Sequence, residues 1–163
     1  MPFDFTVQKI EQDSAEEAAN LLVAVFNERE PLAHLDSSDP QEFSEYILYL
    51  SHKCAEEGLG FIAREVSSNE IIGVVLSSDL SESVNSEKST DETLENPISA
   101  LIHSLNSSYF TKGTLEENTY LNIKFVATNG DFKGKGVVTE LISTCIKAAQ
   151  ERGFNYAQAE ATG

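Results

Sequence analysis

The chain has 163 residues, 40% hydrophobic and 23% charged, which suits one globular domain with a real core and is too short for two ordinary ones. No apolar run is long enough to span a bilayer, and the opening Met1-Pro-Phe-Asp-Phe5 lacks the basic and apolar stretches of a secretory signal, so a single cytoplasmic unit over 1–163 is expected. The net charge of -16 repels phosphate backbones and anionic membranes and favours small cations, which argues against nucleic-acid and membrane partners and suits an amine.

Phe3 to Lys9 alternates apolar and polar residues and reads as a strand. Asp13-Ser14-Ala-Glu-Glu17 then offers a capping box, in which the Ser14 hydroxyl and the Glu17 carboxylate would each satisfy a free amide at a helix start. Ala18, Leu21, Leu22, Val25 and Phe26 follow at helical spacing and give that helix one buried stripe. The stripe leads to Phe26-Asn-Glu-Arg-Glu30-Pro-Leu32. A residue before proline is pushed out of the helical region, so Glu30 is either a solvated helix end or a carboxylate delivered to a site.

Asp39-Pro40-Gln-Glu42 announces a second helix, which ends near Gly58 and turns Phe43, Tyr46, Ile47, Leu50 and Cys54 inward. Gly60 to Val66 and Ile71 to Leu76 read as a hairpin around Ser67-Ser-Asn-Glu70. The stretch 79–96 is polar and acidic and is expected to be a mobile loop. Cys54 and Cys145 fall inside helices with no metal-ligand spacing and read as reduced core thiols, a nucleophilic role being the lesser reading. His34, His52 and His103 are scattered; neither a function nor a metal is expected for them.

Ile98, Leu101, Ile102 and Leu105 predict a short helix, and Ser107 to Asn118 a loop. Leu121, Ile123 and Phe125 alternate and should share the core face of a strand. A helix from about Gly136 to Arg152 presents Val137, Val138, Leu141, Ile142, Cys145, Ile146 and Ala149 inward; Gly153 stops it, and Phe154 to Glu160 supplies a last strand. The resulting β-α-β unit should cross over right-handed.

Between strand and helix lies the most telling stretch, Val126-Ala-Thr-Asn-Gly-Asp-Phe-Lys-Gly-Lys-Gly-Val-Val138. Gly134 and Gly136 let the main chain pass close to a ligand, and the helix behind them points unpaired N–H groups at the turn, an arrangement that favours a pyrophosphate. Lys133 and Lys135 add positive charge. Glycine in such a turn also serves simply to make the bend.

Lys133-Gly-Lys-Gly-Val-Val138 resembles motif A of the GCN5-related N-acetyltransferases, Arg/Gln-x-x-Gly-x-Gly/Ala at a helix head. It departs from the motif at Lys133, which keeps a cation, and at Val138, where a small residue is usual. Phe26-Asn-Glu-Arg-Glu-Pro-Leu32 resembles the Phe-x-x-x-Glu-Pro-Leu signature of the arylalkylamine/dopamine N-acetyltransferase branch. The resemblance implies a mixed, mostly antiparallel sheet flanked by helices, with the β-α-β acetyl-CoA unit at its C-terminal end. It implies acetyl-CoA as cosubstrate, the backbone of Val126, Ala127 and Thr128 beside the pantetheine arm, and the amides of Lys133, Gly134, Lys135, Gly136, Val137 and Val138 around the pyrophosphate. Glu30 falls on the general base.

The implied reaction is direct attack of a primary amine, on a small molecule or a protein, upon the thioester. The family's domain continues beyond a fifth strand, where this sequence stops. The alternative is therefore a catalytically weak or inactive module that binds CoA or a protein partner, with homodimer formation through an exposed sheet edge.

Overall fold

The computed structural model describes residues 3–29, 40–85 and 115–159. In chain order the elements are β1 (Phe5–Lys9), α1 (Ala15–Arg29), α2 (Pro40–Glu57), β2 (Gly60–Glu65), β3 (Ile71–Asp79), α3 (Leu80–Asn85), β4 (Tyr120–Thr128), a 3-10 turn (Gly130–Phe132), α4 (Val137–Glu151) and β5 (Tyr156–Ala159). The strands form one sheet in sequence order. β1 through β4 pair antiparallel, and α4 returns the chain so that β5 lies parallel to β4. This is the mixed, mostly antiparallel sheet expected from the sequence.

Two apolar layers cover the sheet. On one face Ala15, Ala18, Ala19 and Leu22 of α1 and Ile47, Leu50 and Cys54 of α2 pack with Ile62, Val74 and Leu76. On the other, Val137, Leu141, Cys145 and Ala149 of α4 pack with Phe61, Val75, Leu121 and Ile123. The expected stripes account for both layers, since spacings of three and four put these residues on one side of each helix. Val138, Ile142 and Ile146, also expected inward, are only half-buried.

Local chemistry differs from expectation in several places. The capping box does not form. Ser14 accepts from the Glu11 amide at 3.0 Å and is directed back at the Glu11 carbonyl at 3.2 Å, tightening the preceding turn. Glu17 instead reaches across the layer to the Ile71 amide at 3.4 Å and to Arg64 at 3.6 Å. The loop expected from Asp79 begins instead with the end of β3 and the helix α3. Asp79 accepts from the Ser81 amide at 3.0 Å and the Asn118 amide at 2.7 Å, tying that helix start to the approach to β4. Residues 86–96, and the helix expected over Ile98–Leu105, lie outside the described residues.

Candidate active site

β4 carries a bulge. Leu76 of β3 pairs with Phe125 and Ser77 with Ile123, so Lys124 is an extra residue. The bulge reverses the faces of everything after it. Leu121 and Ile123 face α4, whereas Phe125 and Ala127 join the layer under α1 and α2. The expectation that Phe125 shares a face with Leu121 and Ile123 is thereby overturned: simple alternation holds only while the pairing register does.

Phe125 thus reaches an aromatic cluster on the α1/α2 face. Its ring lies 6.3 Å from Phe26, 6.3 Å from Phe43 and 6.5 Å from Tyr46, and Phe26 and Phe43 are 4.6 Å apart. Phe43 and Tyr46 were expected inward on the second helix, and Phe26 and Phe125 were read as core. Tyr49 is 63% exposed and stands outside this cluster. Glu30 lies outside the described residues, in sequence next to Arg29 at the end of α1 and four residues beyond Phe26.

Beyond the bulge β4 has an open side. β5 pairs with Tyr120 to Ile123 only, and from Lys124 to Thr128 that edge has no strand partner among the described residues. Val126 is 41% exposed there, and the Thr128 hydroxyl is buried without a hydrogen-bond partner. Main-chain groups on such an edge are free to pair with an extended ligand.

The glycine turn follows. Asn129 donates its amide to the Ile72 carbonyl at 2.8 Å, and its side chain accepts from the Asp131 amide at 3.1 Å. Gly134 and Gly136 both lie in the left-handed region, at φ 80° and 83°. Gly136 is the N-cap of α4 and offers no side-chain bond; the Glu140 amide, donating to the Gly136 carbonyl at 3.1 Å, begins the ladder. The amides of Val137, Val138 and Thr139 therefore lack intrahelical acceptors, and the whole 133–136 segment is exposed. A Cβ on either glycine would meet nothing within 4 Å, so conformation rather than crowding requires glycine here. Of the amides expected to cradle a phosphate, that of Lys133 is already engaged, donating to the Gly130 carbonyl at 3.3 Å.

The segment just before β1 also reaches this turn, which sequence reasoning missed. Phe3 packs 5.4 Å from Phe132 and 5.6 Å from Phe5, and the Lys135 ammonium sits 4.7 Å above the Phe3 ring. The cation is held at the turn by the ring's negative face. A phenylalanine pair at alternate positions of the first strand was the available signal.

The thiols are not suited to nucleophilic work. Burial pushes the Cys54 thiol up to about 12 and raises that of Cys145 as well. His52 is engaged with Gln12 at 2.6 Å.

The acetyltransferase (GNAT) family model matches residues 15–162. The chain belongs to this family. No curated protein sequence matches it. Solved structures share the fold at low identity. The Drosophila melanogaster polyamine N-acetyltransferase, which forms N-acetylagmatine, aligns with a TM-score of 0.76 at 16% identity over 98% of this chain and 77% of that one. Arylalkylamine N-acetyltransferase 2 from Aedes aegypti gives 0.75 at 20% identity, over 98% and 77%. An aminoglycoside N-acetyltransferase in complex with CoA gives 0.59 at 10% identity, over 99% and 79%. As a GNAT member the chain is an acetyltransferase, as expected from the sequence, and its likeness to these solved N-acetyltransferases is one of fold.

Proposed function

We propose that this chain transfers an acetyl group from acetyl-CoA to a small primary amine. The observation that carries the reading is the head of α4, where two left-handed glycines leave a run of unpartnered amides beside the open edge of β4. The main chain of Val126, Ala127 and Thr128 lines the pantetheine arm, and the amides from Gly134 to Val138 hold the pyrophosphate. Local charge from Lys133, Lys135 and the helix terminus offsets the acidic surface. Bound acetyl-CoA supplies an acetyl group on a thioester, whose leaving group is good enough that the chain needs no nucleophile.

What the chain must supply is a neutral amine, since primary amines are mostly protonated near neutral pH. The Glu30 carboxylate removes that proton through water. A main-chain N–H in Val126–Thr128 stabilises the charge that develops on the carbonyl oxygen. The aromatic cluster of Phe26, Phe43, Tyr46 and Phe125 forms the acceptor wall and orients the amine.

Calorimetric titration with CoA and acetyl-CoA tests this, repeated on Gly134→Val and Gly136→Val. Binding by the parent chain and its loss in both variants is expected. Equal affinity in all three proteins would refute the phosphate cradle. Absence of amine-dependent CoA release across aryl, alkyl and polyamine acceptors, with CoA binding intact, would favour the non-catalytic module.

A further inference from the structure

With 27 acidic residues against 11 basic ones, an exposed cation on this chain has many carboxylates to choose from. Lys53 pairs with Glu57 and Glu82, and Arg64 with Glu17. Lys135 behaves differently. Among the described residues no carboxylate pairs with it, and its ammonium rests 4.7 Å from the centroid of the Phe3 ring and 5.9 Å from that of Phe132.

The rings beneath that ammonium are themselves held. Phe3 lies 5.4 Å from Phe132 and 5.6 Å from Phe5, and all three are half-buried against the apolar layer under α4. Phe132 closes the 3-10 turn, its amide donating to the Asn129 carbonyl at 2.9 Å. Lys135 itself stands between the two left-handed glycines, directly ahead of the N-cap of α4.

A carboxylate partner would cancel the lysine's charge before any ligand arrived. A ring attracts the cation through its quadrupole and leaves the net charge in place. The ring also takes only one side of the ammonium, which has three donors, and Lys135 is otherwise exposed, so phosphate oxygens can reach it where it sits. Holding it there removes, already in the free protein, rotamer freedom that a long side chain would otherwise lose on binding.

We infer that Phe3 is a positioning residue for the cofactor: packed against Phe132, it holds the Lys135 ammonium at the head of α4 as an uncancelled cation for the phosphates of CoA. The inference rests on the acetyltransferase reading and adds a residue outside the glycine turn and its helix. Phe3 acts through Lys135. An ammonium that had to leave the ring to meet phosphate would bind better without the ring, so the sign of the effect is decisive.

The test is calorimetric titration of the full chain with CoA at low and at high salt. Phe3→Leu and Phe3→Met, both apolar and without a ring, should bind about two- to fivefold more weakly at low salt, the size of an exposed cation–π contact, with a smaller difference at high salt. Phe3→Tyr keeps the ring and should retain the parent affinity. In the Lys135→Met background, Phe3→Leu should cost nothing further, since the ring then has no ammonium to hold. Melting temperatures of all variants show which are folded. Equal or tighter binding by the ringless variants overturns the assignment, and so does a loss of equal size with and without Lys135, which would mark Phe3 as packing alone; both results leave the phosphate cradle standing. Absence of CoA binding by the parent chain overturns the assignment and the cradle together, so the two failures are distinguishable.

Discussion

Replacing Gly73 by alanine should damage the fold and the cofactor site together. Gly73 pairs with Thr128 and lies beneath the first turns of α4. An added Cβ would stand 2.7 Å from Val137 Cγ1 and 2.9 Å from Leu141 Cδ1, well inside van der Waals contact. Neither neighbour has room to retreat, Val137 being 1% exposed and Leu141 fully buried. The N-terminal end of α4 must therefore lift. Overpacking of this kind costs about 1–3 kcal/mol, and at about 3 °C per kcal/mol for a chain of this length that is a fall of about 3–9 °C in melting temperature. Thermal unfolding followed by circular dichroism reads it directly. Because the lifted end bears the Val137–Thr139 amides, CoA affinity should fall in the same variant. Adding Val137→Ala returns space, so the double variant should be less destabilised than the two single changes summed. An unchanged melting temperature in Gly73→Ala, or strict additivity in the pair, would refute the close approach of α4 to β3.

Glu30→Gln should lower acetyl-transfer turnover by about 100-fold, as for loss of a general base, with CoA affinity unchanged; full turnover would remove Glu30 from the mechanism. Val138→Ala puts the small residue of the motif at a position whose amide has no intrahelical acceptor, and should tighten CoA binding in calorimetry; equal or weaker binding would show that Val138 does not crowd the phosphate. The Cys54 thiol has a folded pKa raised from 9.0 to about 12. The neutral thiol is thus favoured in the fold, and its contribution to stability is complete below pH 9 and lost as the pH rises toward about 12. Comparing denaturant unfolding of the parent chain and Cys54→Val across that window should show a smaller loss in the variant; parallel curves would refute it.

The parts of the site that depend on local chain chemistry were legible in the sequence. Left-handed Gly134 and Gly136 follow from the glycine spacing, and the buried residues of α4 from its periodicity. What depended on pairing across the sheet was not. Nothing in Asn122-Ile-Lys-Phe125 announces that Lys124 is the inserted residue, since the bulge is decided by how β3 and β4 fit over two cores. Its consequence, Phe125 facing Phe26 and Phe43, was hidden with it. The capping box failed for a similar reason: Glu17 found the Arg64 guanidinium and the Ile71 amide, groups far away in sequence. Phe3 and Phe132 come to Lys135 only because the first strand and the glycine turn meet at one end of the sheet.

The inserted Lys124 gives this stretch an unusual pattern of mutational tolerance. Its side chain is only half-buried, so another residue in its place should be accepted with little loss. Deleting it is different. The strand would become regular, with Ile123 and Phe125 adjacent and still opposite Ser77 and Leu76, so Phe125 and Ala127 would keep their side under α1 and α2. What the deletion would take away is the local bend and added twist that the extra residue gives β4 next to its open edge, which no exchange at that position would do.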